Sequence, residues 1–542
     1  DAAGLRGQLF TASQCATQVV WDFPGIMAAD FTLEEVQKHN TPEDAWVIVD
    51  GTIYDVTKFA KMHPGGRMTL LDYAGQDATE DFFALHRHEV LAKYTRLVKG
   101  RVAGSKTALA TAVEQKKQFS AVPYAEPSHL QGMTSPYFKE THIALRKALR
   151  AWWVENMYED AMKCEADSSV PDRELRIKAG DMGIHAMSQG PGQHLKYTPN
   201  GLMGGIVSAE EFDYFHELVV QEERVRLMCP GWEDGMDAAN SIGVPVVIKY
   251  GPSWMKDELL PAIFRGEQTC CLAISEAFAG SDVAALRTTA VLDASGENYI
   301  VNGTKKWITG GMYADYFVTA VRTGGAGAGG ISMLLVKRDD TVQTKIIKSK
   351  YSSAAGTAFV TYEGTVVPKR NVFVKENKGF QIIMSNFNHE RWMICVGCVA
   401  RARICTEEVF KWSMQRKVFG KALSEQPVIR EKLAQNFSGI EMCTAMLYEV
   451  THQMNLLGPQ SAEIGGRIAL LKYSVTRMTH LVADNAVQIL GGRGVSQGGM
   501  GRIVEAFHRC YKIPSVYGGS EEIMADLAVR QAIKAYPQQA KL

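Results

Sequence analysis

An excess of either charge is missing from this 542-residue sequence: Lys plus Arg number 59, and so do Asp plus Glu. The balance gives no electrostatic reason to expect nucleic acid or an anionic membrane as a partner. Long uncharged apolar runs are missing too; none approaches the roughly 20 residues of a membrane span. Cysteine is sparse, ten in all, which argues for reduced thiols over a disulfide framework. Cys395 and Cys398 form a C-x-x-C with no strand before it, and read as core packing. Proline is absent from Asn377 to Gln426. What is present, 46% apolar and 22% charged residues over this length, describes a multidomain globular protein.

The chain opens with an extension, residues 1–27, carrying Arg6, Thr11, Ser13 and Thr17 and only Asp1 and Asp22 as acids. It reads as a presequence remnant or as an artefact upstream of a start at Met27. The ending Ala540-Lys541-Leu542 lies close to the Ser-Lys-Leu peroxisomal address. The expected location is therefore the mitochondrial matrix or the peroxisome.

Residues 28–103 form a small unit. Two β-rich runs, Ala45–Val49 and Thr52–Val56, meet at Asp50-Gly51, a hairpin signal. Met62-His63-Pro64-Gly65-Gly66 follows, then Asp77-Ala78-Thr79 and a short helix carrying Phe82, Phe83, His86 and His88. His63 and His86 stand in loop-to-helix contexts that can face each other across a flat cofactor. Residues 104–130 read as a linker rich in Ser, Thr, Ala, Lys and Gln. Residues 131–269 are helical in pattern, 270–375 switch to short strands, and 376–542 are helical again. The glycine run 324–330 sits between two strands and reads as a hairpin loop.

The proline-free stretch reads as one long helix in which Gly397 is the only glycine between Gly379 and Gly420. At helical spacing Glu390 shares a face with Ile383, Phe387, Met393 and Ile394. A helical glutamate is usually solvated; one on an apolar stripe has its pKa raised toward that of a usable base. Arg391 points about 100° away.

Residues 31–102 resemble the cytochrome b5 family, through Asp50-Gly51-x-x-Tyr54-Asp55-Val56-Thr57-x-Phe59, the His-Pro-Gly-Gly loop and Asp77-Ala78-Thr79. The resemblance implies haem b with His63 as one axial ligand and His86 as the second, His88 being the fallback. With both axial positions filled by protein, such a haem carries electrons and does not bind oxygen.

Residues 131–535 resemble the acyl-CoA dehydrogenase family. Five motifs carry this: Ile274-Ser275-Glu276-Ala277-Phe278-Ala279-Gly280-Ser281-Asp282, Asn302-Gly303-x-Lys305-x-Trp307-Ile308-Thr309, Gln415-Arg416-Lys417-x-Phe419-Gly420, Gln488-Ile489-Leu490-Gly491-Gly492-x-Gly494 and Tyr517-Gly518-Gly519-Ser520. The implied architecture is a multidomain α+β chain: the small haem domain, then a helical domain, a β-barrel-like middle domain and a C-terminal helical bundle. The resemblance implies FAD, lined by Leu272, Ile274 and Ser275 with Trp307 and Thr309 on its other side. Arg416, Phe419, Gln488 and Gly492 would reach the cofactor of a neighbouring subunit, and Ser520 and Glu522 the adenine nucleotide portion. Ser281 and Arg391 would meet the CoA of an acyl-CoA substrate. A homotetramer or homodimer is the expected assembly.

Many family members place the catalytic glutamate directly after the tyrosine of the last motif, where this chain has Gly518. A smaller group, including the long-chain and isovaleryl enzymes, takes its base from a Glu-Arg pair on the long helix, which Glu390-Arg391 resembles. The Gly518 backbone N–H would then stabilise the thioester oxygen. Ser275 stands for the usual threonine, and Ala277 and Phe278 for the usual proline and glycine. The expected reaction is α,β-dehydrogenation of a fatty acyl-CoA with electrons passing to the fused haem. Electron-transferring flavoprotein or oxygen as acceptor, and a non-catalytic scaffold keeping the fold, are the competing readings.

Overall fold

A computed structural model describes residues 29–105, 118–198, 200–537 and 540. The N-terminal extension, residues 106–117 of the expected linker, Pro199, the last two residues and the side chain of His88 lie outside what it describes. The chain divides into two compact units, Asp1–Thr111 and Ala112–Leu542.

The first unit is a five-stranded sheet in the order β1-β5-β4-β3-β2, formed by β1 (Ala29–Phe31), β2 (Asn40–Thr41), β3 (Asp44–Val49), β4 (Thr52–Asp55) and β5 (Val98–Val102). The hairpin between β3 and β4 pairs Val49 with Thr52, so its loop is only Asp50-Gly51. Both loop residues have positive φ, 54° and 73°, as a two-residue turn matched to strand twist requires. Ala45, Val47, Tyr54 and Val56 bury one face with Ala74, Ala78 and Leu91 from the helical side.

The second unit is helix, sheet, helix. Its first helices include α1 (Glu140–Asp167), α2 (Tyr214–Arg224) and α3 (Ala239–Tyr250). The sheet runs β10-β9-β7-β8-β12-β11, with β6 (Cys270–Ala273) paired parallel to β9 (Tyr316–Arg322). The others are β7 (Thr289–Leu292), β8 (Asn298–Ile308), β10 (Ile331–Lys337), β11 (Val342–Ile346) and β12 (Ala358–Pro368). The glycine run joins β9 and β10, which pair antiparallel with Arg322 opposite Ile331, so it is the expected hairpin loop. The long helix α4 (Gly379–Gln415) is packed by α5 (Pro427–Leu457), α6 (Ala462–Leu490) and α7 (Arg502–Cys510); α8 (Glu521–Lys534) lies on α6. Thirty-seven residues at about 1.5 Å each make α4 roughly 55 Å long, enough to carry several separate sites.

Part of the expected linker is firmly attached. Glu126 is 1% exposed and takes Arg150 at 2.5 Å and Arg226 at 3.5 Å, within a buried network that includes Arg146, Glu222 and Glu223. Composition suggested a loose tether because Ser, Thr, Ala, Lys and Gln dominate without periodicity; the partners of Glu126 lie on α1 and just after α2.

Candidate functional site

Glu390 lies on the apolar stripe expected of it, with Ile383 1% and Met393 and Ile394 each 9% exposed. Its Oε2 is shut off from solvent and meets no hydrogen-bond partner. Burial pushes the carboxyl up from the ordinary range, opposed by the charges of Arg391, Lys472 and His389. Against it stands the Tyr517-Gly518-Gly519 turn. A Cβ placed on Gly518 would lie 3.6 Å from Glu390 Oε1 and 2.7 Å from Ile394 Cδ1. The turn also needs φ of +66° and +96° at its two glycines.

Two cations hold this turn. Arg391 Nε donates to Gly518 O at 2.9 Å. Lys472 of α6, fully buried, donates to Tyr517 O at 2.7 Å and Gly519 O at 2.5 Å. All three carbonyls are thereby drawn to side chains. Among the described residues no acceptor takes the Gly518 N–H. The turn thus carries a free donor beside a desolvated carboxylate. Arg391 also has its guanidinium 5.2 Å over the Phe387 ring. On the other side of Glu390, His389 Nε2 lies 2.9 and 3.0 Å from the carboxylate oxygens of fully buried Glu217.

The candidate flavin residues gather where β6 and β8 end. Ser275 O accepts from Lys306 N at 2.8 Å, and buried Lys305 donates to Ile274 O at 3.0 Å and to Glu276 at 2.8 Å. The turn after β6 is thus locked from beneath, with Leu272 and Ile274 buried and Ser275 half-buried. Trp307 holds φ of +67° with its side chain 54% exposed, a costly backbone for a bulky residue and the kind of outlier that clusters at ligand sites. Thr309 is half-buried beside it. An open edge with a strained, bare indole and a hydroxyl fits a planar cofactor ring.

Ser520 caps α8, accepting Ile523 N–H at 3.4 Å, so this helix of 14 residues starts at the motif, with Glu522 exposed in its first turn. Ser281 is exposed in the loop after β6. Arg416, Phe419, Gln488 and Gly492 are all exposed. Phe419 is 96% exposed, with φ of +51°, at the tip of the hairpin between β13 (Lys417–Val418) and β14 (Lys421–Ala422). None of the described residues covers that ring.

In the first unit the His63 and His86 ring centroids stand 6.1 Å apart. Two metal–nitrogen bonds of about 2 Å, with roughly 1 Å more from each nitrogen to its ring centre, span about 6 Å. His63 Nδ1 lies 3.2 Å from Gly66 O and His86 Nδ1 3.3 Å from Phe82 O. Those carbonyls hold the proton on Nδ1 and leave each Nε2 lone pair free, as metal-ligating imidazoles require. The pair fits an iron between them.

Sequence reading missed Lys472, Glu217 and a His/Asp group. The signal for Lys472 was its place on the apolar stripe Ile468, Lys472, Thr476 of α6, all buried. In that group His142 Nε2 and His216 Nδ1 lie 2.9 and 3.0 Å from Asp213 Oδ1. Its ring nitrogens are engaged within the protein: His142 Nδ1 accepts the Lys139 N–H, and His216 Nε2 lies 3.1 Å from the Thr141 hydroxyl. It locks the first turns of α1 and α2 together.

Family models match in four blocks: cytochrome b5-like heme/steroid binding domain over 32–103, and acyl-CoA dehydrogenase N-terminal, middle and C-terminal domains over 139–267, 271–361 and 377–533. Acyl-CoA dehydrogenase apdG of Emericella nidulans is 36% identical over 431 residues, 78% of this chain and 98% of that protein. The mitochondrial long-chain specific acyl-CoA dehydrogenase of Rattus norvegicus is 27% identical over 73% of this chain and 87% of its own. A putative acyl-CoA dehydrogenase from Mycobacterium smegmatis superposes with TM-score 0.65 at 28% identity, over 74% of this chain and all of that one. The chain belongs to the acyl-CoA dehydrogenase family, with a cytochrome b5-like domain fused ahead of it. It is an oxidoreductase of that family, whose cofactor is FAD, and its first domain is of the haem-binding type. Among the described residues no helix is long and apolar enough to cross a membrane.

Proposed function

We propose that this protein converts a fatty acyl-CoA to the trans-2-enoyl-CoA, with Glu390 as the base that removes the α-proton. The observation that carries the reading is the Glu390 carboxylate set against Gly518, with its Oε2 shut off from water and unpartnered. A buried carboxylate has the raised basicity that proton abstraction beside a thioester needs. Enolate charge on the thioester oxygen is met by the Gly518 N–H, a donor that survives the loss of any side chain at that position. Lys472 and Arg391 fix the direction of that N–H by holding the neighbouring carbonyls. Ile383 and Ile394 keep water from the α-carbon. When bound, FAD supplies the hydride acceptor and the haem a one-electron carrier.

Leu272, Ile274, Ser275, Trp307 and Thr309 would hold the flavin ring, and Ser520 and Glu522 the adenine end. Ser281 and Arg391 would contact CoA. Bare Phe419, with Arg416, Gln488 and Gly492, supports an assembly in which these residues meet a cofactor of another subunit. His63 and His86 would hold haem b and carry electrons outward. The mitochondrial long-chain specific relative supports a mitochondrial location and a fatty acyl-CoA substrate, as a step of fatty acid β-oxidation would require.

Glu390→Gln is expected to keep FAD but slow acyl-CoA bleaching of the flavin by about 10²–10⁴-fold. Full activity in that variant removes Glu390 from the role. Mixing the oxidised protein with acyl-CoA anaerobically is expected to change haem absorbance after flavin bleaching, with no added acceptor. A haem that stays oxidised through many turnovers rejects the electron route and favours electron-transferring flavoprotein or oxygen.

A further inference from the structure

The buried stripe that carries Glu390 does not stay apolar. Glu390, Ile394, Gly397 and Arg401 follow one another at spacings of four, three and four residues, and so share one side of α4. Gly397 leaves that side bare, and Arg401 uses the room: a Cβ on Gly397 would stand 3.1 Å from Arg401 Nη1. The guanidinium therefore folds back along the helix toward Glu390. Seven residues at ~1.5 Å put position 397 about 10 Å from Glu390 along the axis, within reach of a medium-length acyl chain.

The groups around Arg401 are polar. Its Nη2 donates to Glu233, which is 1% exposed. Its Nε is shielded from solvent and has no partner. Asp234 follows Glu233, opens the π-helical turn Asp234–Ala238, and lies within electrostatic reach of Arg401 and Tyr517. Such turns recur at functional sites. Tyr351, 8% exposed, lines one small cavity together with Arg401 and lies within electrostatic reach of Asp234 and Tyr517. Tyr517 adjoins Gly518 and so links this cluster to the catalytic turn. Burial lifts the Asp234 carboxyl to about 7, with Arg401 opposing.

A structural ion pair needs only Arg401 and Glu233. Here a second carboxyl, the buried Tyr351 phenol and an unmet guanidinium N–H share the same ground, and a buried donor such as Arg401 Nε rarely goes unmatched. A methyl-ended tail driven among them strips their water and returns no hydrogen bond. We propose that the acyl group of the substrate carries a neutral oxygen function, a hydroxyl or carbonyl, toward its far end, and that Arg401, Asp234 and Tyr351 recognise it. This rests on the acyl-CoA reading above and narrows its substrate class.

The test compares medium-chain acyl-CoAs of matched length ending in a methyl or a terminal hydroxyl, by kcat/KM for flavin bleaching in the full-length, FAD-loaded protein. The hydroxyl-ended substrate is expected to win by about tenfold or more, as sites built to hydrogen-bond a substrate hydroxyl discriminate strongly. That preference is expected to collapse to within about threefold in Tyr351→Phe and in Asp234→Asn, with FAD content as the check on folding. These two conservative variants carry the test should Arg401→Gln not fold. Equal or better turnover of the methyl-ended substrate overturns the inference and leaves the dehydrogenase reading standing. A preference unchanged in both variants overturns the assignment to this cluster. Failure of every acyl-CoA to bleach the flavin overturns both readings.

Discussion

Gly518 and Glu390 occupy one space: the site where a side chain at 518 would begin lies 3.6 Å from a carboxylate oxygen of residue 390. A base on the helix and a side chain on the turn therefore compete for the same volume. Gly518→Ala is expected to cost about 1–2 kcal/mol from the left-handed backbone alone, with more from the clash with Ile394. Thermal unfolding of the FAD-loaded protein measures this, and acyl-CoA bleaching should slow alongside. Unchanged stability and activity would mean the turn has room to spare.

Glu390 carries a pH signature. Its folded pKa is raised by burial, so the folded state keeps a proton that the unfolded chain has already released. The penalty is absent below the unfolded pKa and complete above the folded one, so stability is lost as pH rises through that window. Glu390→Gln should accordingly be more stable than the native protein at neutral pH, the gap closing in acid. In the native protein kcat/KM should rise along a limb displaced above the ordinary carboxylate range. A variant less stable than native at neutral pH contradicts the burial argument.

Lys472→Met removes the donor to Tyr517 O and Gly519 O at once. Leaving buried acceptors unpaired costs about 1–3 kcal/mol. The loss expected in kcat exceeds any change in KM, since Lys472 orients the turn and does not bind CoA. A change confined to melting temperature would reduce Lys472 to a packing role.

Much of this was legible in the sequence, and the illegible part has a common cause. The stripe Ile383, Phe387, Glu390 and Ile394 follows from helical periodicity, and Asp50-Gly51 from turn chemistry, both local properties. Glu390 meeting Gly518 joins residues 128 positions apart (518 − 390), and only the two anomalies together suggested it. Glu217 under His389, and Arg146 and Arg150 among Glu222, Glu223 and Glu126, are charges whose partners lie on distant helices. Composition assigns such residues to solvent, and a stretch rich in Ser, Thr, Ala, Lys and Gln without periodicity gives no local sign that Glu126 is buried.

The haem unit can be tested apart from the dehydrogenase chemistry. His63→Ala or His86→Ala in the full chain should abolish the low-spin spectrum of a haem with two imidazole ligands, while acyl-CoA still bleaches the flavin. Haem reduction after bleaching should disappear with it. A spectrum unaltered in His86→Ala would transfer the second ligand to His88.

Proton removal itself can be watched without turnover. An acyl-CoA analogue with sulfur in place of the β-carbon has no β-hydrogen to give up, so exchange of its α-hydrogens in D2O, followed by mass spectrometry, reports the base alone. The native protein should wash deuterium into the α-position, Glu390→Gln should do so about 10²–10⁴-fold more slowly, and both should hold FAD. Exchange at the native rate in Glu390→Gln would contradict the assignment of the base to the long helix.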